Sequence, residues 1–465
     1  MMTSFSGRGS RALKPAGAPP TVGANKGGDA VGSTNRARSR AGRWGLVALA
    51  AVVLVGVSSC ASGGPSTTPV PTASIAASTC VSDPGAVIAA TPTAVSTTAA
   101  LPAALTASLD AAARSSFAQA AAPGAIVGVR TPQGTWTAAY GIADPGTGAP
   151  MTLDMHTRIG SVTKTFTGTL IMQLAEEGKL SLDDTIGKYI PGIPNGDIIT
   201  LRQLADMTSG VASYTKSPAF TDVYFAKPET IFTPTELVAV GIANSPIFEP
   251  GTQFDYSNTN IVLLGLVVEK VTGMPVEQVL ADKIFGPLKL TSTSWPGDQT
   301  DLPAPYAHGF TLQGDFATAA APSDATNWNP AWGFTAGELI SNVADMLTYD
   351  RALGTGQGLL GAASQTERLT SFPGAGGYGL GMVCADGWVG HTGTVPGYTS
   401  YVFYQTATDT SLVVLANSDI ASGVCDQSPT LTDDPGTAVC LTPAARMFAA
   451  LSTALGNPFT PNATH

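Results

Sequence analysis

A long apolar pattern opens at a serine. In "RIGSVTKTFTGTLIMQLAEEGKL", Arg158 to Leu180, no charge falls between Lys164 and Glu176. A helix apolar on every face is a buried helix, and Gly178 supplies its stop signal. The stretch "NIVLLGLVVEKVTG" repeats the pattern and again closes on glycine. Upstream, "LTASLDAAARSSFAQAA" predicts a helix, and "AIVGVRTPQGTWTAAYGIAD" predicts two strands joined at a Pro-Gly turn signal. Residues 181 to about 350 read as mostly helical with long loops. After 375 the pattern turns to strands in "YGLGMVCADGWVG", "HTGTVPGYTSYVFYQ" and "TSLVVLANSD", and "TPAARMFAALSTALG" predicts a closing helix. Strands at both ends with helices between predict an α+β fold. Its antiparallel sheet is assembled from both chain ends and flanked by helices, with a mostly helical inserted subdomain.

The N-terminal part follows other rules. "RARSRAGRWGLVALAAVVLVGVSSC" has a basic start, an apolar run from Gly45 to Val57 and small residues before Cys60. That is the pattern of a secretory signal, and the run is short for a membrane span of about 20 residues. "VSSC" resembles a bacterial lipobox, so residues 1–60 are expected to export the chain and to leave Cys60 lipid-modified. The expected location is the outer face of the cytoplasmic membrane. Residues 61–100, rich in Thr, Ala, Pro and Ser, are expected to form an extended linker. The main folded domain is expected over 101–456 and a short tail over 457–465.

From Cys60 onward the chain carries 15 basic against 32 acidic side chains. Such an acidic balance excludes nucleic acid as a partner. Beyond Cys60, four cysteines remain, an even number for an oxidising compartment. Cys425 and Cys440 flank a polar loop and are the favoured pair, which leaves Cys80 with Cys384. The four histidines form no metal-binding spacing, so no metal or cofactor is expected.

Ser161 and Lys164 stand one helical turn apart, on one face. A buried ammonium is costly unless paired or used. A neutral Lys164 amine could instead take the Ser161 proton, making the serine a nucleophile. Ser-x-x-Lys recurs at Ser213 and Lys216, but the Ser-Pro break that follows reads as a surface loop. The bland alternative for Ser161 is a helix N-cap. In "FDYSNTN", Tyr256 and Asn258 lie two apart before an apolar helix, so phenol and amide can converge. The alternative there is Asn258 as a cap. In "VGHTGTVPGY", His391, Thr392 and Gly393 open a strand, and Gly393 would let a ligand approach the backbone.

In this order, Ser-x-x-Lys, Tyr-x-Asn and His-Thr-Gly resemble the serine β-lactamase and penicillin-binding protein superfamily. The Tyr256-Ser257-Asn258 form points to its class C-like branch, and "HTGT" is most like its serine D-alanyl-D-alanine carboxypeptidases. "ITLRQLADMTSG", "IFGPLKLTSTSW", "AWGFTAGELIS" and "YGLGM" extend the resemblance over about 101–456. The resemblance implies that Ser161 forms an acyl-enzyme with a cell-wall stem peptide or another small acyl substrate, and that β-lactams acylate it. Lys164 and Tyr256 would share the proton transfers, Lys164 holding the phenol at a low pKa. Asn258 would bind the substrate amide and orient Lys164. The backbone N–H groups of Ser161 and Thr394 would form the oxyanion hole. His391 and Thr392 would face the substrate carboxylate, and Trp332 would line the cleft.

"GMVCADGWVG", the strand before His-Thr-Gly, carries no basic residue that would hold a terminal carboxylate. A class C-like β-lactamase and an esterase of the same fold therefore stay open. A Ser-His-Asp hydrolase is disfavoured because no Gly-x-Ser-x-Gly occurs. A reading of another class is a lipoprotein that binds cell-wall peptides without turnover. The retained nucleophile constellation weighs against it.

Overall fold

A computed structural model describes residues 80–90, 99–372, 377–425 and 438–461. The signal, Cys60 and most of the expected linker lie outside the described residues. So does the middle of the loop between Cys425 and Cys440.

Two helices, α1 (Pro84–Ala89) and α2 (Ala103–Phe117), precede strands β1 (Gly124–Thr131), β2 (Gly134–Asp144) and β3 (Ala149–Pro150). The two-residue strand β4 (Thr157–Arg158) leads through a 3-10 turn, Gly160–Val162, into α3 (Thr163–Glu176). Then come α4 (Leu201–Ala205), α5 (Pro218–Ala226), α6 (Pro234–Ile242), α7 (Asn258–Thr272), α8 (Val276–Leu280) and α9 (Gly286–Leu288). Short strands β5 (Phe310–Thr311), β6 (Ser323–Asp324) and β7 (Ile340–Ser341) precede α10 (Val343–Thr355) and α11 (Ala362–Thr370). The chain ends with β8 (Gly377–Gly379), β9 (Met382–Ala385), β10 (Trp388–Val395), β11 (Tyr398–Gln405), β12 (Thr410–Ala416) and α12 (Pro443–Ala454).

The main sheet runs β3-β2-β1-β12-β11-β10-β9-β8, antiparallel throughout. Its centre joins the two chain ends, with Ala125 opposite Ala416. The period-2 alternation of strands decides which core each residue enters. Ala125, Val127 and Val129 pack under α2 and α12 with Leu412 and Val414, whereas Ile126, Val413 and Leu415 face the helical side. Both faces are covered, so β11 and β12 are buried along their whole length.

Helix α3 lies in the larger core, buried from Thr163 through Leu174, as its sequence predicts. Gly178, one residue beyond the cap Glu177, takes the left-handed conformation that ends it (φ +66°).

The domain extends further at both ends than the sequence reading allows. Cys80 bonds to Cys384, and Val81 and Val87 are buried in the helical-side core. The end of the expected linker is thus part of the fold. Cys425–Cys440 forms the other expected disulfide, worth about 3 kcal/mol for a loop of its size. At the C-terminus Phe459 joins Tyr401, Phe403 and Phe448 in an aromatic cluster, and Trp388 Nε1 donates to the Asn457 carbonyl. Residues 457–459 therefore belong to the packed domain.

Candidate active site

The nucleophile turn is set by close backbone packing. Gly160 has φ +53°, and a Cβ there would lie 3.0 Å from the Thr394 nitrogen. A Cβ on Gly393 would lie 2.0 Å from the Ile159 carbonyl oxygen. What approaches the Gly393 backbone is therefore the turn carrying Ser161, not the ligand that the sequence suggests. Ser400 Oγ donates to the same Ile159 carbonyl at 2.8 Å and fastens the turn to the sheet. Ser161 sits inside the 3-10 turn rather than at a helix cap.

Lys164 is fully buried. Its Nζ lies 2.8 Å from Ser161 Oγ and donates to the Ala336 carbonyl at 2.6 Å. Burial holds its pKa well below the ordinary lysine value. A neutral amine that spends one N–H on Ala336 keeps its lone pair for the serine proton.

The Tyr256 ring packs 5.0 Å from Lys164 Nζ. Burial pushes the phenol up, and a hydrogen bond with the Ser161 hydroxyl pulls the other way. This corrects the expectation that Lys164 holds the phenol at a low pKa: a neutral amine offers no charge to stabilise a phenolate. A lowered Lys164 pKa beside a raised Tyr256 pKa would suit Lys164 to accept a proton and Tyr256 to donate one.

Asn258 begins α7, and Ser257, not Asn258, is its cap residue. Asn258 Nδ2 donates to Thr215 Oγ1 at 2.9 Å, and its backbone N–H donates to Ser213 Oγ at 3.0 Å. No hydrogen bond joins Asn258 to Lys164, so its expected orienting role falls to Ala336. Ser213 is buried rather than on a surface loop, and Lys216 pairs with Asp255 instead of the serine. The second Ser-x-x-Lys is thus a buttress for Asn258.

His391 is buried, with Nδ1 2.5 Å from the Thr392 carbonyl and Nε2 3.2 Å from the Tyr378 hydroxyl. Nδ1–H donates to the carbonyl, which leaves Nε2 to accept from the phenol. Burial, then the nearby Lys164, lowers its pKa to about 3, against the Thr392 hydrogen bond. The ring therefore stays neutral at physiological pH and presents no cation to a substrate.

Ser161, Tyr256, Asn258, His391, Thr392 and Thr394 line one cleft of about 950 Å³. Trp332 does not line it. Its indole packs near Phe220 and Tyr224 beside a smaller cavity, and its carbonyl accepts from the Tyr214 hydroxyl at 2.5 Å. The sequence reading missed Tyr378, whose ring meets Tyr256 and His391 edge to face across the cleft. It also missed Asp206. Among the described residues the lining contains no Lys or Arg, and its one acidic side chain is Asp206. Asp206 Oδ1 accepts from Thr208 N at 3.1 Å and Thr208 Oγ1 at 2.6 Å. Burial raises its pKa.

The chain matches the family model described as beta-lactamase over residues 109–427. It is 28% identical over 259 residues to "Putative penicillin-binding protein PbpX" of Bacillus subtilis, covering 56% of this chain and 61% of that one. The chain thus spans about three-fifths of that relative's length. Among solved structures it is 35% identical to a D-stereospecific amidohydrolase from Streptomyces sp., with a TM-score of 0.61 over 68% of this chain and 94% of that one. It is 25% identical to the D-amino acid amidase of Ochrobactrum anthropi, with a TM-score of 0.63 over 76% and 100% of the two chains. Sequence, fold and the Ser161 cleft agree: the chain belongs to the β-lactamase family, within the β-lactamase and transpeptidase-like superfamily of serine hydrolases.

Proposed function

We propose that the chain hydrolyses the amide or peptide bond of small D-amino-acid substrates through an acyl-enzyme on Ser161, and prefers an acyl group that carries a free ammonium. The observation that carries the hydrolase reading is the buried Lys164 amine 2.8 Å from Ser161 Oγ, its pKa held well below the ordinary lysine value by burial. As Oγ attacks the carbonyl carbon, its proton passes to Lys164. The N–H groups of Ser161 and Thr394 stabilise the oxyanion, an effect worth ~3 kcal/mol per donor in comparable sites. The C–N bond then breaks, the leaving amine takes a proton from Tyr256, and Tyr256 regains one from Lys164. Water attacks the ester, and the acid leaves. Asp206 and the absence of Lys or Arg among the described lining residues support the ammonium preference, as does the similarity to a D-amino acid amidase; the D-stereospecific amidohydrolase supports amide cleavage.

A second reading is D-alanyl-D-alanine carboxypeptidase action on peptidoglycan stem peptides, with β-lactams as acylating ligands. Asn258 and Thr392, which line one cleft with Ser161, favour it, together with the penicillin-binding relative. We further propose export and lipid anchoring through Cys60, which the two disulfides support.

The test offers four compounds to the full-length protein, each beside Ser161→Ala: the amide of D-alanine, its N-acetylated form, an N-acylated D-Ala-D-Ala peptide and penicillin. Turnover is followed, together with intact protein mass. The free-amine amide is expected to turn over fastest, and only with Ser161 present. Faster release of D-alanine from the peptide would select the carboxypeptidase. Penicillin consumed without a lasting adduct would select a β-lactamase. No adduct and no turnover with any of them would sink the hydrolase reading.

A further inference from the structure

Tyr378 enters the cleft on a hairpin docked against the helix that carries Lys164. It lies on β8, opposite Val383 of β9. The turn between these strands, Leu380 and Gly381, packs on α3. A Cβ on Gly168 would lie 2.4 Å from the Leu380 carbonyl oxygen, and one on Gly381 would lie 2.9 Å from that of Lys164. Gly381 N donates to the Ala205 carbonyl at 2.9 Å. Leu380 is held at φ +46°, a conformation that a leucine adopts where its surroundings impose it. Cys80–Cys384 fastens β9 to the N-terminal segment.

So placed, the Tyr378 hydroxyl stands 3.2 Å from His391 Nε2. On the other side of the ring, Nδ1 is 2.5 Å from the Thr392 carbonyl, which can only accept. The ring proton therefore sits on Nδ1, Nε2 offers a lone pair, and the phenol donates. Hydroxyl, ring and carbonyl form a hydrogen-bonded chain with one direction.

The carbonyl at its end has a particular place. Strands β10 and β11 are joined through the two-residue turn Pro396 and Gly397, with Val395 opposite Tyr398. In such a hairpin the pair flanking the turn bonds across the ladder, and alternate residues turn their backbone groups to opposite edges. His391, Gly393 and Val395 thus face β11, while Thr392 and Thr394 face the other edge. Strand β9 covers that edge only over Trp388 to Gly390. Beyond it the Thr392 carbonyl is left roughly 7 Å along the strand from the Thr394 N–H. Bare, it would set a partial negative charge on the edge where the oxyanion forms. His391 engages it with an N–H and adds no cation.

We propose that Tyr378 is a positioning residue: by donating to Nε2 it holds His391 in the Nδ1–H tautomer, and the ring then caps the Thr392 carbonyl on the open edge that presents the Thr394 N–H. Without the phenol, the ring is free to carry its proton on Nε2, and Nδ1 then sets a lone pair against the carbonyl. The catalytic consequence rests on the Ser161 acyl-enzyme reading. Stabilisation of the oxyanion weakens, whereas the bound substrate, which bears no such charge, is little affected.

The test uses the full-length protein carrying isotope-labelled histidine, read by nitrogen NMR, in which the His391 signals are those lost in His391→Gln. Wild type is expected to show the neutral Nδ1–H tautomer at neutral pH. Tyr378→Phe, which keeps the ring contacts with Tyr256 and His391, is expected to populate Nε2–H. It is also expected to lower kcat for the amide of D-alanine, and the rate of acylation by penicillin, about tenfold, with KM and Tm close to wild type. Tyr378→Leu, which loses the ring as well, is expected to lower Tm, and so separates packing from the hydroxyl. An Nε2–H or imidazolium form in wild type overturns the proposal, as does a tautomer or a rate that Tyr378→Phe leaves unchanged. A wild type that holds Nδ1–H and loses it in Tyr378→Phe, yet neither turns over nor is acylated, sinks the hydrolase reading and leaves the hydrogen-bonded chain standing. An active wild type whose tautomer ignores the change does the reverse.

Discussion

Gly393 and Ile159 lie so close that a single Cβ on the glycine would sit 2.0 Å from the Ile159 carbonyl oxygen and 2.3 Å from Ser400 Oγ. Gly393→Ala must push the nucleophile turn off β10. A displacement near 1 Å at reacting atoms costs on the order of 100-fold in rate, and overpacking costs ~1–3 kcal/mol in stability. Acylation rate and Tm measured together are expected to fall by these amounts. A rate within twofold of wild type would mean that the turn is placed by something else.

Lys164→Met separates activity from stability. It removes the base, so acylation is expected to slow by at least 10²-fold. It also replaces a buried amine by an apolar chain of similar length, so Tm is expected to hold or rise. A variant that acylates normally would reassign the base.

Ser213→Ala leaves the Asn258 backbone N–H without its acceptor and frees the loop that holds the amide. The loss is expected to be about 1–3 kcal/mol, shared between stability and KM. Lys216→Ala, on the exposed Asp255 pair, is expected to change stability by less than ~1 kcal/mol. Steady-state kinetics and denaturant melts on both variants check this contrast.

Asp206→Asn is expected to erase the preference for a free amine over its N-acetyl counterpart, raising KM for the amine substrate about tenfold or more while sparing acylation by penicillin. An unchanged ratio of kcat/KM for the two amides would remove Asp206 from recognition.

His391 sets a pH dependence of defined sign. Its folded pKa, lowered to about 3 from 6.5, means that the unfolded chain binds the proton first. The stability it contributes is present above pH 6.5 and is lost as pH falls towards 3, with a slope of at most ~1.4 kcal/mol per pH unit. His391→Gln is expected to flatten that part of the Tm profile. The rate profile near neutrality is expected to hold no inflection that the variant removes, since the wild-type ring does not titrate there. A neutral inflection that vanishes in the variant would contradict the burial argument.

Much of this site was legible because its parts are tied to chain-local rules. Ser161 and Lys164 are one helical turn apart, and the apolar helix behind them announces burial and hence a depressed lysine pKa. Tyr256 and Asn258 stand at a helix entrance, and the strand periodicity around His391 places it in the sheet. What could not be read depends on contacts across the chain. The neutrality of His391 needs its enclosure by Tyr378, and the turn to solvent expected of Ser213 is reversed by Asn258, 45 residues away. The glycine at 393 signals a close approach to the backbone, but a sequence does not say what approaches: the expected ligand is replaced by the Ile159 carbonyl. Trp332 and Asp206 exchanged places for the same reason: motif order says nothing about which wall a side chain faces.

The pairing of β1 with β12 carries one further consequence, for the making of the molecule. The sheet's central ladder joins strands from opposite ends of the chain, and Cys80–Cys384 links residues 304 apart. Such long-range pairing forms late, because a long loop must close before any contact rewards it. Ser161 and Lys164 leave the ribosome well before Thr394 and His391, so a partial chain holds the proposed nucleophile and base with only one of the two expected oxyanion donors, the Ser161 N–H, beside them. On the proposed mechanism, full reactivity at Ser161 is therefore expected only once the last strands have closed over the first.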